Sequence, residues 1–169
     1  MNGDASTDIR AVPDYKRTIS RLLQAGKFEQ LDCLADSTRS NKEVFPGGTW
    51  KLHTIYVGLE EPLLHATPKD WKAHIGLLKK WVAARPQSIT ARVAFAEACV
   101  NYAWDARGHG YADSVSQNGW KLFEQRSAEG RKSLQAGIVS PGQVPGVVRR
   151  DARRGLGTGL GSRRQASFA

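Results

Sequence analysis

The stretch from Ser88 to Trp120, SITARVAFAEACVNYAWDARGHGYADSVSQNGW, constrains this 169-residue chain more than any other. Phe95, Cys99, Tyr102 and Ala106 recur at i, i+4, i+7 and i+11, which places them on one face of a helix. Ala91, Ala94 and Ala98 form a neighbouring stripe of small residues, where a second helix can approach closely. Val93, Val100 and Trp104 widen the apolar surface, so the spacing predicts a central helix covered on several sides. Ser88, just after Pro86, is the expected N-cap, because a short hydroxyl accepts from a free backbone N–H two or three residues on. Gly108 and Gly110 are the expected stop, glycine being suited to the left-handed turn that closes a helix. A second helix is expected from about Ser116, with Trp120 and Phe123 three apart and Leu134 near its end.

Other helices are expected to pack on this pair. Residues 1–12 are polar and aperiodic, which predicts a flexible N-terminus. Pro13-Asp14 opens a helix whose inner face is Tyr15, Ile19, Leu22 and Leu23. Gly26 stops it, and Phe28, Leu31, Leu34 and Ala35 form the inner face of the next. Two short helices hinged at a glycine make a hairpin. The pattern LLQAGKFEQLDCLA resembles the hinge of a tetratricopeptide-type repeat. Pro46-Gly47-Gly48 marks a loop. TWKLHTIYV is rich in β-branched and aromatic residues and has strand propensity. A lone strand would lack a partner, however, and its apolar positions also fit a helix, so a helix is predicted. Thr67-Pro68-Lys69-Asp70 is a strong helix start, with Thr67 as N-cap, Pro68 at N1 and Asp70 in the first turn. Trp71, Ile75, Leu78 and Val82 follow at i, i+4, i+7 and i+11, with Leu77 and Trp81 beside them; Pro86 ends the segment. The expected fold is all-α: stacked helical hairpins over residues 13–136, resembling a tetratricopeptide-like array.

Several short motifs occur together: Gly47-Gly48-Thr49-Trp50-Lys51-Leu52, Trp81 followed by Pro86 and Ser88, Asn101-Tyr102-Ala103-Trp104, Ala106-Arg107-Gly108 and Gly119-Trp120. On these residues the stretch from Phe28 to Leu134 resembles a bacterial family known as domain of unknown function 4034. The resemblance implies a helical fold and no activity, and it carries over no catalytic residue.

The character of the chain changes after Ala136. GIVSPGQVPGVVRRDARRGLGTGLGSRRQASFA holds seven glycines and one aromatic, Phe168. It cannot bury enough apolar surface to offset the entropy of ordering, which predicts a disordered Arg/Gly-rich tail over 137–169. Its composition is also that of an out-of-frame reading of GC-rich DNA. If such a frameshift replaced further helices, the Trp120 helix should show an uncovered apolar strip. The formal net charge of the whole chain is +9. Six arginines and Asp151 give the tail +5, which leaves +4 elsewhere, too little to argue for nucleic-acid binding by the folded part. Hydrophobic content of 40% and charged content of 24% are those of an ordinary soluble chain. The sequence has no apolar run long enough to span a membrane and no signal-peptide pattern, so a cytoplasmic location is expected by default.

No pattern for a metal, cofactor or catalytic triad stands out. Cys33 and Cys99 lack metal spacing and are expected as buried free thiols. His53, His65, His74 and His109 form no cluster and are expected at the surface or an edge. Gly108-His109-Gly110 follows a helix, which makes it a helix stop rather than a phosphate loop. Glu60 and Glu61 are expected as solvated loop charges. Asn101 interrupts an apolar helix, and a buried amide there must find partners. Arg107 is placed to bond the last carbonyls of the central helix or an acid such as Asp105 or Asp113. Tyr102, Trp104, Tyr111 and Trp120 bring aromatics with polar handles near one turn, where helical arrays form concave binding surfaces. Asn101, Tyr102, Trp104, Arg107, Tyr111 and Trp120 are therefore the candidate binding residues. The leading expectation is a noncatalytic module that binds a protein or peptide. The alternatives are an enzyme fragment with a polar pocket near Asn101 and Arg107, and nucleic-acid binding through the basic tail. No cofactor is expected.

Overall fold

A computed structural model of the chain describes residues 10–62, 66–108 and 115–137. All of these lie in the unit Met1–Val139; a second unit, Ser140–Ala169, lies outside the described residues. So do the expectations for residues 1–9 and for nearly all of the tail. The described residues fold as helices α1 (Ala11–Gln24), α2 (Phe28–Asn41), α3 (Lys51–Val57), α4 (Pro68–Ala84), α5 (Ile89–Arg107) and α6 (Gln117–Gly137). The all-α expectation holds, and the tetratricopeptide-like stacking stays an expectation. The first helix begins slightly earlier than expected, since Ala11 and Val12 are already helical.

The hinge between α1 and α2 turns at Gly26, whose φ of 65° suits a residue without a Cβ. Its N–H donates to the Leu23 carbonyl and that of Lys27 to the Leu22 carbonyl, satisfying acceptors that a helix end leaves free. The strand propensity around TWKLHTIYV is realised only as an isolated bridge between Val44 and Trp50. It closes the Pro46-Gly47-Gly48 turn just before α3, whose Thr54 and Ile55 are buried in the core. Local propensity yields to helical packing because the described residues offer no further strand to pair with. Gly58 ends α3 against α1: a Cβ there would lie 3.2 Å from both the Ile19 side chain and the Lys16 carbonyl. Ser20 Oγ donates to the Gly58 carbonyl at 2.8 Å.

Both expected N-caps form. Thr67 and Asp70 make a reciprocal capping box at the start of α4. Ser88 Oγ accepts from the Ala91 N–H at 2.9 Å at the start of α5. The core gathers Ile19, Leu23, Leu31, Ala35, Ile55, Leu59, Trp71, Leu78 and Trp81 around the inner face of α5. Trp81 is fully buried and stacks on Phe28 with ring centroids 5.9 Å apart. One buried polar tie crosses this core's edge. The Asp32 carboxylate accepts from Arg85 Nε at 2.7 Å and from Ser88 Oγ at 2.5 Å, fixing α2 to the α4–α5 corner. A buried carboxylate is tolerated where such partners replace its water.

Two expectations are corrected. Cys33 is exposed, and only Cys99 is buried. His74 is a core residue: its Nε2–H donates to the Leu59 carbonyl at 2.7 Å. Burial lowers its pKa, so the ring stays neutral at neutral pH. The central helix is covered on several sides, as expected, and leaves one side open, where Ile89, Val100 and Trp104 are exposed.

α6 packs on α5 by backbone proximity. Its buried residues are Gly119 and Gly130. A Cβ on Gly130 would stand 3.0 Å from the Ala96 carbonyl oxygen and 3.1 Å from Cys99 Cβ, and one on Gly119 would stand 3.2 Å from the Ala106 carbonyl oxygen. Arg92 spans the other end, donating to the Pro86 and Ser133 carbonyls.

Candidate functional site

The turn between α5 and α6 gathers three of the six candidate residues. Arg107 Cζ lies 5.1 Å from the Trp104 ring centroid and 5.2 Å from that of Trp120. Phe123 completes the group, edge-on to Trp104 at 5.0 Å and to Trp120 at 6.0 Å. The guanidinium gains from both indole faces, and the contacts hold the aromatic rings in fixed positions. Arg107 also reaches the Gly108 carbonyl at 3.4 Å and makes no ion pair with Asp105. Asp113, the other expected acid, lies outside the described residues, as does Tyr111.

Trp104 is nonetheless 49% exposed. Ile89, Val93, Val100 and Trp104 fall at i, i+4, i+11 and i+15 on one side of α5, and all but Val93 are classed as exposed. Trp120, Phe123 and the exposed Leu134 flank them from α6. The strip runs about 22 Å along α5 at 1.5 Å per residue. The uncovered strip expected on the Trp120 helix itself lies instead on α5, and of the large hydrophobic residues of α6 only Leu134 is exposed.

The other two described candidates point elsewhere. Tyr102 turns inward: it is 9% exposed, stacks on Trp71 at 5.1 Å and has Arg126 Cζ 3.2 Å from its ring centroid. Arg126 Nη1 also donates to the Tyr102 carbonyl at 2.5 Å. Asn101 lies about 120° round the helix from Arg107, at 100° per residue. Its amide faces Glu60 and helps hold that carboxylate charged. Asn101 and Arg107 therefore do not converge on one pocket.

Around Asn101 sits a group that reading the sequence missed. Burial pushes the Glu60 carboxyl above its ordinary value; neighbouring Glu61 adds to the shift, and Lys16, Asn101 and His53 oppose it. Glu60 is thus partly buried, not a fully solvated loop charge. Glu97 is raised by burial and by Glu60, with His53 opposing. Its Oε2 is buried without a hydrogen-bond partner. The one signal available was a single carboxylate inside the small-residue run Phe95-Ala96-Glu97-Ala98-Cys99. Among the described residues, no group of three or more His, Cys, Asp or Glu is placed to hold a metal ion. No helix of the described residues is long and apolar enough to cross a membrane.

Residues 16–144 match the family model described as Domain of unknown function (DUF4034), and the chain belongs to that family. The match extends past both ends of the stretch Phe28–Leu134 on which the resemblance rests. No curated protein and no solved structure matches the chain.

Proposed function

We propose that the outer face of the α5–α6 hairpin is a noncatalytic docking surface for a protein or peptide. The observation that carries this reading is Trp104, half exposed yet held by Arg107 and Phe123. Trp and Arg are enriched among the residues that dominate binding energy, and rings already fixed in place lose little entropy on binding. The strip through Ile89, Val100 and Leu134 supplies further apolar area beside them.

The test is a displayed random-peptide library panned against the whole chain. Enriched peptides should lose at least tenfold in affinity when Trp104→Ala and Arg107→Ala are combined. No enrichment, or peptides whose affinity ignores both changes, would remove the reading.

A further inference from the structure

A second site lies on another side of α5, away from the aromatic turn. α4 and α6 both pack on α5, and a groove of about 370 Å³ opens between them. Its walls are two matched rows at helical spacing: Lys72, Ile75, Gly76 and Lys79 on α4, and Leu122, Gln125, Arg126 and Glu129 on α6. Cys99 and Tyr102 of α5 also line it. Lys79 Nζ meets Glu129 Oε1 at 2.6 Å across the gap, which neutralises that pair. Lys72 and Arg126 are left as a net positive charge, since neither pairs with an acid among the described residues. The Cys99 thiol adds no negative charge, because burial pushes its pKa up to about 12.

Two further observations point to an occupant. One is Tyr102, which lines the groove and whose hydroxyl, not being among the buried polar atoms, is free to donate there. The other is Gly76. Glycine inside a helix is less stable than alanine there, by maximal loss of backbone freedom. Close packing is the usual reason to keep one, as at Gly130. At Gly76 a Cβ would meet nothing within 4 Å, and its φ is not positive. What its missing side chain does is keep the groove open. From the open groove, its two cations and its apolar walls, we infer that the α4–α6 groove binds a small molecule with an anionic group on an apolar body. Lys72 and the remaining Arg126 donors face the anion, Tyr102 donates one hydrogen bond, and Ile75 and Leu122 cover the apolar part.

Backbone amide NMR on the full chain tests this, with benzoate as anionic probe and benzamide as its neutral isostere. Benzoate should saturate with a dissociation constant on the order of millimolar, as suits a fragment. Its shifts should centre on Ile75, Gly76, Lys79 and Leu122, and benzamide should bind at least fivefold more weakly. A Cβ at Gly76 meets nothing, so Gly76→Leu should fill the groove, keep the thermal midpoint and abolish the shifts. Tyr102→Phe keeps the ring and should weaken benzoate about threefold to tenfold, the worth of one hydrogen bond. The inference is overturned if no saturable shift appears, if benzamide binds equally, or if folded Gly76→Leu binds as well as the unchanged chain.

Discussion

α4 and α6 both pack on α5, and they do so by opposite means. α4 inserts large side chains: Trp71, Ile75, Leu78 and Trp81 are all buried. α6, longer by four residues, buries only Gly119 and Gly130. In the first case stability comes from apolar area and side-chain interlocking. In the second it comes from backbones drawn close, with many short dispersion contacts. The difference decides where the large side chains go. Those of α4 are used up in the core, whereas Trp120, Phe123 and Leu134 of α6 are left on its flank. A helix docked through glycine leaves its aromatics off the packed seam.

The largest effect should come from breaking the α4 side of this comparison. Trp81→Ala removes a fully buried ring stacked on Phe28 and should cost about 3–5 kcal/mol in urea unfolding. Next comes Gly130→Leu, which drives a side chain onto the Ala96 carbonyl and Cys99. Overpacking of this kind should cost about 1–3 kcal/mol, and backbone cannot swing aside as a side chain can. Alkylation sharpens the readout. The thiolate is the reactive form, so neutral, buried Cys99 should label slowly in the unchanged chain and faster once α6 lifts. Exposed Cys33 should label equally in both.

Most of the fold was legible because it is written in helical periodicity and capping chemistry. Thr67, Ser88 and Gly108 mark helix boundaries through local backbone needs, which depend on no distant residue. Cys33 and His74 were misplaced for the opposite reason. Whether a helical face is covered depends on which helix lies over it, and spacing along one helix does not carry that. The candidate site divided on the same ground. Trp104, Arg107 and Trp120 meet because the α5–α6 turn brings adjacent segments together. Asn101 finds Glu60, a contact across the fold that no motif announces. Gly130 and Gly76 look alike in sequence, yet one is pressed against α5 and the other opens a groove.

A smaller effect should follow acid. Glu60 and Glu97 hold their protons more tightly in the folded chain than in the unfolded one, chiefly through burial. Their contribution to stability is therefore fully present below the unfolded carboxylate value and is lost as pH rises through the folded values. Glu97→Gln removes a buried charge, so it should raise the thermal midpoint at pH 7 and flatten its fall between mildly acid and neutral pH. An unchanged pH profile would show that Glu97 is solvated.

Whether Trp104 is held for binding or for packing is read most directly from the unfolding free energy of Trp104→Ala. Urea denaturation of Trp104→Ala should show a loss of no more than about 1 kcal/mol, the scale of a half-exposed position outside the core. A loss of about 3 kcal/mol or more, the scale expected at Trp81, would make Trp104 part of the packed core and contradict the account.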